Sequence, residues 1–266
     1  MRPIWRGAVT FGLVYIPVKV YAATEEKDVR FNLLHSECRT PVRYRRYCPS
    51  CDREVGHDEL VRGYEYEKGR YVVLTESELE NLPGAEARTV TLLDFVEPNE
   101  VNPLYYSKNY YLAPAEGGER VYELLRLSME KTKKAAAGRV AIRTKQSPAL
   151  VWPFGRTLVL STLHYPDEVR AVEAVPELHY NVEIHENELK MAESLIANLT
   201  GPFELAKYRD EYREALINVI GKKIAGEEVV TPPPRAEKVV DLMEALKQSI
   251  ELAKKERGAK RREAGA

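Results

Sequence analysis

The feature that most restricts the fold of this chain is a change of hydrophobic period near residue 186. Before it, apolar residues gather in short runs rich in β-branched and aromatic side chains, which Gly and Pro interrupt. After it, apolar residues recur every three or four positions, as on one face of a helix. The sequence therefore predicts a mixed β/α chain, with a barrel or sandwich of strands followed by helices.

The strands can be placed from local composition. Residues 8–22 are treated as one strand-forming run, with Gly12 and Pro17 as bulge or edge positions. Residues 63–74 predict two strands joined at a turn centred on Lys68. Helices are expected at 75–82, opened by a capping box from Thr75 to Glu78, and at 118–134. The remaining predicted strands are 88–96, 104–112, 138–144, 148–152 and 157–164.

Three amphipathic helices are predicted in the last third of the chain. The first follows the apolar residues from Leu189 to Leu199, and the second follows those from Leu205 to Ile224. A short polyproline spacer at 231–234 comes before a third helix, over 239–250. A short basic tail ends the chain.

Length and composition exclude several classes of protein. The chain has 266 residues, 44% hydrophobic and 30% charged, which is typical of a globular protein with a sizeable core. No apolar run approaches the ~20 residues of a membrane-spanning helix, and no signal-peptide core follows Arg2. Three cysteines argue against a secreted disulfide framework. We expect a cytoplasmic protein without a membrane partner.

Charge is unevenly distributed although the net charge is only −1. Lys and Arg outnumber Asp and Glu by nine to four in residues 1–50, nine to three in 119–156 and six to two in 253–266. Acidic residues prevail in 51–118 and 157–252. This segregation favours a basic face presented to an anion, and chance clustering on a solvated surface is the alternative.

The sharpest local motif is a His-x2-Cys pair followed by a Cys-x2-Cys pair. His35, Cys38, Cys48 and Cys51 could supply four ligands to one tetrahedral zinc ion, with His57 as a possible substitute. Four protein ligands fill the coordination shell, so the site would be structural rather than catalytic. Three ordinary reduced thiols, or a redox dithiol in the Cys-x2-Cys pair, are the alternatives.

Two basic segments could contact a phosphate backbone. Alternation along a strand at 42–47 would place Arg43 and Arg45 on one face, and a strand at 138–146 would align a second row. A solvated strand face is the alternative. The side chains predicted to bind the backbone are Arg43, Arg45, Arg46, Lys131, Lys133, Lys134, Arg139, Arg143 and Lys145.

Familiar catalytic signatures are missing from the sequence. It contains no Walker A loop, dinucleotide fingerprint, nucleophile elbow or His-Glu-x2-His motif. Asp167 and Glu168 are adjacent carboxylates, which point in opposite directions on a strand and make a poor acid/base pair. We therefore expect a protein that is not an enzyme.

Four parts of the chain match one known family when they are taken in order: Trp5-Arg6-Gly7 with Phe11–Tyr21, Lys68–Leu74, Leu163–Arg170 and Ala215–Lys223. Together they resemble the prokaryotic Ku family, the DNA-end-binding proteins of bacterial non-homologous end joining. The resemblance extends over nearly the whole chain, and His35, Cys38, Cys48 and Cys51 match a zinc-binding insertion of many members.

The resemblance implies a β-barrel core with a DNA-encircling bridge, followed by a helical arm and a short C-terminal helix with a basic tail. Residues 1–185 would form the barrel and bridge, including the zinc-binding segment 35–51. Residues 186–230 would form the arm through which two subunits dimerise. Residues 231–266 would recruit the repair ligase.

The same resemblance implies a function. A ring-shaped homodimer, associated with the nucleoid, would bind double-stranded DNA ends without sequence preference, and would recruit and stimulate the ATP-dependent DNA ligase D without catalysis of its own. Two alternatives remain open at this point. One is a zinc-containing nucleic-acid-processing or RNA-binding factor, and the other is a scaffold that binds only proteins.

Overall fold

The first part of the chain forms a closed β-barrel, and buried and exposed residues alternate along its strands. A computed structural model describes residues 1–80, 88–142, 145–178, 180–226, 246–247 and 249–251. The chain divides into two compact units, residues 1–174 and 175–266. The elements of the first unit are β1 (Trp5–Phe11), β2 (Val14–Ala22), β3 (Tyr47–Cys48), β4 (Arg53–Glu54), β5 (Arg62–Glu67), β6 (Arg70–Leu74), α1 (Glu76–Glu80), β7 (Thr89–Val96), β8 (Tyr106–Pro114), α2 (Glu119–Thr132), β9 (Ala135–Ile142), β10 (Lys145–Phe154) and β11 (Thr157–Leu163).

The barrel strands follow the order β1-β2-β8-β11-β10-β9-β7, and β7 pairs back to β1 in parallel. The interior is filled by aliphatic side chains that are fully buried, which include Val9, Val18, Leu112, Leu158 and Leu160. The barrel and the mixed β/α class that were predicted are therefore confirmed.

The run at 8–22 is two strands rather than one. β1 and β2 form an antiparallel hairpin that turns at Gly12-Leu13, where Gly12 has a positive φ of 54°. Gly adopts this conformation without the steric cost that a side chain would impose. The prediction of a bulge or edge position at Gly12 is therefore wrong, because this turn contains no polar residue that would mark it in the sequence.

Two glycines permit the close approach of strands beside β7. A Cβ atom on Gly138 would lie 2.0 Å from the Thr91 carbonyl oxygen, and one on Gly7 would lie 2.0 Å from the Arg88 carbonyl oxygen. Neither carbonyl belongs to a side chain that could move away. The seam that closes the barrel therefore requires glycine on both neighbours of β7.

Helix α2 packs on the barrel through Tyr122, Leu125 and Met129, which belong to the same hydrophobic core. The Tyr122 hydroxyl donates to the Leu112 carbonyl at 2.6 Å and accepts from the Leu158 N–H at 2.8 Å. These hydrogen bonds join the helix to two barrel strands. The predicted helix at 118–134 is confirmed.

Residues 23–75, here called the insertion, separate β2 from α1 and contain two small hairpins, β3–β4 and β5–β6. None of the residues of the insertion is buried. The predicted hairpin at 63–74 is confirmed. So is the capping box, in which Glu78 accepts from the Thr75 N–H at 2.8 Å and Thr75 Oγ1 accepts from the Glu78 N–H at 3.3 Å.

The described part of the second unit includes two helices of equal length, α3 (Glu186–Leu199) and α4 (Glu211–Ile224). The first agrees with the prediction. The second begins six residues later than Leu205, because Asp210 accepts a hydrogen bond from the Arg213 N–H at 2.9 Å and caps the helix there. The spacer at 231–234, most of the third predicted helix and the basic tail lie outside the described residues.

Within the described part of the chain, no helix combines the length and the apolarity needed to cross a membrane.

Candidate functional site

Two cations lie directly opposite each other on the outer face of the barrel. Arg6 on β1 pairs in register with Lys19 on β2, and this face is opposite to the one that Val9 and Val18 direct into the core. Neither cation forms an ion pair with an acidic side chain of the described residues. Like charges in this position repel each other, so they favour an anion placed between them.

Arg139 lies on the same outer face. It pairs with Thr91 on β7, which pairs in turn with Thr10 on β1, so one row of the sheet leads from Arg139 to the β1–β2 hairpin. Arg139 is exposed. Arg6, Lys19 and Arg139 are here called the outer cationic face. Their positions give an extended anion several charges across neighbouring strands.

The predicted row on a single strand at 138–146 is wrong. β9 ends at Ile142, which pairs with Lys145 at the start of β10, so Arg139 and Lys145 belong to different strands. Alternation along one strand therefore cannot align them. Arg143 lies outside the described residues, and so does the side chain of Lys145.

The three predicted lysines around the end of α2 have different environments. Lys131 is exposed in the last helical turn. Lys133 ends the helix with a positive φ of 54°. Lys134 forms an ion pair with Glu97 at 2.5 Å, and this contact lowers the pKa of the Glu97 carboxyl. Lys134 is therefore less available to an external phosphate than Lys131.

The predicted strand at 42–47 is mostly irregular, because β3 includes only its last residue. The face on which Arg43 and Arg45 were placed together is therefore not formed. Arg45 pairs with Glu54 at 2.5 Å. Arg43 and Arg46 are exposed, and neither has an acidic partner among the residues described.

The four predicted zinc ligands occur on two turns of similar backbone geometry. His35 Nδ1 lies 3.2 Å from Cys38 Sγ, and the next residue, Arg39, has a positive φ of 58°. Cys48 and Cys51 form the second pair, and the next residue again has a positive φ, 49° at Asp52. Each pair thus lies in a tight hairpin turn, and the residue that follows the second predicted ligand has a left-handed backbone conformation.

The thiols of these turns are polarised by local hydrogen bonds. The Thr40 side chain and N–H lower the pKa of Cys38. The pKa of Cys48 is lowered by hydrogen bonds from the Cys51 N–H and thiol and from the Ser50 N–H, and Cys48 in turn raises the pKa of Cys51. Thiolate is the form of cysteine that binds metal.

The structure groups the four predicted ligands into two pairs, His35 with Cys38 and Cys48 with Cys51. Among the described residues, no group of three or more His, Cys, Asp and Glu side chains has an arrangement that could hold a metal ion. The three cysteines are free thiols. The donor types suit zinc, whereas their gathering into one shell stays a prediction. His57 lies at the start of a single 3-10 turn, His57–Glu59.

Sequence reasoning missed Arg6 and Lys19. Arg6 and Lys19 lie opposite each other because the chain turns at Gly12-Leu13, and this turn was not predicted. A two-residue hairpin turn at Gly12-Leu13 would have predicted that Arg6 faces Lys19, because residues equally distant from such a turn pair with each other.

These features define a class of protein: a closed β-barrel with an exposed cationic face suited to an extended anion. Comparison with known proteins identifies the family. The family model described as "Ku70/Ku80 beta-barrel domain" matches residues 10–191. The chain therefore belongs to the Ku family.

Curated relatives agree over most of the chain. A protein of Symbiobacterium thermophilum is 48% identical over 97% of this chain and 65% of its own length. One of Heliobacterium modesticaldum is 44% identical over 96% of this chain and 93% of its own length. One of Bacillus subtilis is 40% identical over 96% of this chain and 83% of its own length. Each is named "Non-homologous end joining protein Ku".

Proposed function

We propose that this protein binds double-stranded DNA ends in non-homologous end joining and is not itself an enzyme. The supporting observation is the outer cationic face of a Ku-family barrel, where Arg6 opposes Lys19 without an acidic partner among the described residues. The names of the relatives agree with this role. A protein that contacts only the phosphate backbone binds DNA without sequence preference. Binding to any broken end requires this property.

The test compares linear duplex DNA, the same duplex as a covalently closed circle, and single-stranded RNA. We expect preference for the linear duplex and a steep loss of affinity with salt, with a slope of log affinity against log salt of about −0.9 per phosphate contacted. Equal affinity for the circle and the linear form would exclude end binding. Preference for RNA would favour an RNA-binding factor instead.

Charge removal locates the surface. Arg6→Gln combined with Lys19→Gln should weaken binding to all sequences alike and flatten the salt slope. Lys190→Gln is the matched control, because Lys190 is an exposed cation paired with Glu186 on α3. An unchanged slope in the folded double variant would move the DNA surface elsewhere, for example to Arg43 and Arg46.

We further propose a homodimer formed through α3 and α4. Neither helix has a buried residue, and Leu189, Ile196 and Ile217 are each more than half exposed. Apolar faces of this kind are typical of a two-fold interface. Ile196→Glu should shift sedimentation toward the monomer. Ser194→Glu, two positions away on the other side of α3, should not, and equal behaviour of the two variants would contradict this interface.

We also propose that residues 35–51 bind one structural zinc ion through His35, Cys38, Cys48 and Cys51. Three thiols and an imidazole on two similar turns suit zinc. The metal would order the insertion and supply no reaction chemistry. Elemental analysis of reduced, unchelated protein should give one zinc per chain, and well under one would leave three ordinary thiols.

Ligase D is the proposed partner of residues 231–266. Deleting residues 235–266 should leave end binding largely intact and remove stimulation of the ligase, because the amphipathic helix that the sequence predicts after residues 231–234 could dock independently. Full stimulation by the shortened protein would place the docking surface in the remaining chain.

A further inference from the structure

An apolar groove lies at the end of the barrel where the β1–β2 turn and the end of β7 meet α2. Its accessible volume is about 480 Å³. Aromatic and aliphatic side chains form most of its wall. The lining residues used here are Phe11, Val14, Phe95, Val121, Leu124 and Lys134.

The groove is open to solvent. Leu124 is 65% exposed and Phe95 is 48% exposed, although both are large apolar side chains. Phe95 contacts Phe11 edge to face, with ring centroids 6.5 Å apart, so this wall is held in place. Leu13 is fully exposed at the tip of the neighbouring turn. An apolar surface of this kind, on a barrel whose core is otherwise well buried, is typical of an interaction site.

Among the described residues, the charged side chains that α2 places beside the groove without an ion-pair partner are cationic. Arg120 and Lys131 lie four positions before and seven positions after Leu124, so they follow the same edge of the helix. Both are exposed, and neither has an acidic partner among the described residues. Lys134 lines the groove itself, and its ion pair with Glu97 neutralises the acidic side chain at that rim.

Two of the three acidic side chains of α2 are paired with a cation of the same helix. Glu123 and Glu130 hold Arg126 between them, with N–O distances of 2.6 and 2.9 Å. Arg126 also donates to the Gly155 carbonyl at 3.0 Å, which fixes this charged cluster against the β10–β11 turn. The helix therefore separates a neutralised acidic face from a cationic edge beside the apolar stripe.

We propose that this groove docks an acidic amphipathic helix of a partner protein. Apolar side chains spaced at i, i+3 and i+7 on the partner would contact Leu124, Phe95 and Val121. Acidic residues flanking them would pair with Arg120 and Lys131. This site includes none of the residues of the outer cationic face or of α3 and α4, so it is a further function of the barrel.

The test uses the full chain and a fluorescein-labelled helical peptide with leucine at i, i+3 and i+7, glutamate at the positions flanking the leucines and alanine elsewhere. A second peptide has lysine in place of every glutamate. Fluorescence anisotropy should show saturable binding of the acidic peptide and at least about ten-fold weaker binding of the basic one. No saturable binding of the acidic peptide, or equal binding of both, would overturn the proposal.

Two leucines of nearly equal exposure give a matched pair of variants. Leu124→Glu should weaken binding of the acidic peptide by about ten-fold or more, as expected at the centre of an interface. Leu104→Glu should change it little, because Leu104 is 66% exposed but neither lines the groove nor belongs to α2. Circular dichroism melting checks that both variants fold. Equal losses in the two variants would overturn the proposal.

DNA and a second copy of this chain are the competing occupants. If Leu124→Glu weakened DNA-end binding or self-association and left peptide affinity unchanged, the groove would belong to one of those interfaces and the proposal would be wrong. Arg120→Glu with Lys131→Glu should reverse the preference between the two peptides. An unchanged preference would also overturn it.

Discussion

The barrel and the insertion are both built from strands, yet different interactions hold them together. Barrel side chains such as Leu158 and Val18 are fully buried, whereas no residue between 23 and 75 is. The insertion relies on backbone pairing and on surface ion pairs such as Arg45–Glu54 and Arg53–Glu59. Isolated hairpins and exposed ion pairs contribute little stability by themselves. We therefore expect the insertion to be less stable than the barrel.

Truncation of one side chain in each region should give the largest difference in the free energy of unfolding. Leu158→Ala removes a fully buried side chain of the barrel and should cost about 2–5 kcal/mol of unfolding free energy. Val72→Ala in β6 removes a side chain that is 47% exposed and should cost within about 0.5 kcal/mol. Urea unfolding measures both. Similar losses would show that the insertion has a core of its own.

Removal of a single hydroxyl repeats the comparison on a smaller scale. Tyr122→Phe leaves the buried Leu158 N–H without its acceptor, which should cost about 1–3 kcal/mol. Tyr47→Phe in the insertion removes a hydroxyl that contacts the Asp52 carboxylate, where water can replace it, so the loss should be much smaller. Thermal melting of the two variants under one buffer condition tests this difference. A larger loss for Tyr47→Phe would contradict it.

The sequence predicted what depends on local patterns. The hairpin around Lys68 and the Thr75 capping box depend on turn and cap residues within a few positions, and both were found. The turn at Gly12-Leu13 was missed because its residues are as apolar as the strands beside it. Apolar periodicity also extended the second arm helix back to Leu205, although the cap at Asp210 starts it later.

The candidate sites were less predictable, because they depend on pairings between strands. Period-two alternation assumed that Arg139 and Lys145 share a strand, and the chain reverses between them. The opposition of Arg6 and Lys19 follows from a register that composition does not specify. The groove beside Leu124 requires α2 to pack against the barrel end, and that packing is a tertiary contact.

Metal removal should affect only the insertion. In zinc-loaded protein, Cys48→Ser or chelation should raise amide hydrogen exchange across residues 35–55, because the two turns have no buried side chains to hold them. The barrel amides and the main thermal transition should not change. Ser50→Ala is the control, since its side chain is not a proposed ligand. Equal protection before and after chelation would show that the turns are stable without metal.

The smallest expected effect is in acid titration, and it compares one ion pair from each region. Lys134 lowers the pKa of Glu97 on the barrel, and Arg53 together with the Gly56 N–H lowers the pKa of Glu59 in the insertion. A carboxyl whose pKa is lower in the folded state stabilises the fold above its unfolded pKa of about 4.3. That contribution is lost as the pH falls through the folded value. Both groups are exposed, so the effect on stability should be small.

Removal of zinc by chelation should change the pKa of only one of the two carboxyls. The Glu97 pKa should stay lowered, because α2 and β7 hold Lys134 and Glu97 in place through the barrel core. The Glu59 pKa should return toward its ordinary value, because the turn that presents Gly56 and Arg53 follows directly from the Cys48–Cys51 turn. Carboxyl carbon NMR shifts followed from neutral to acid pH, with and without zinc, measure both. If the Glu59 pKa stays lowered after chelation, the Arg53–Glu59 pair is fixed by its own hairpin and does not depend on the metal.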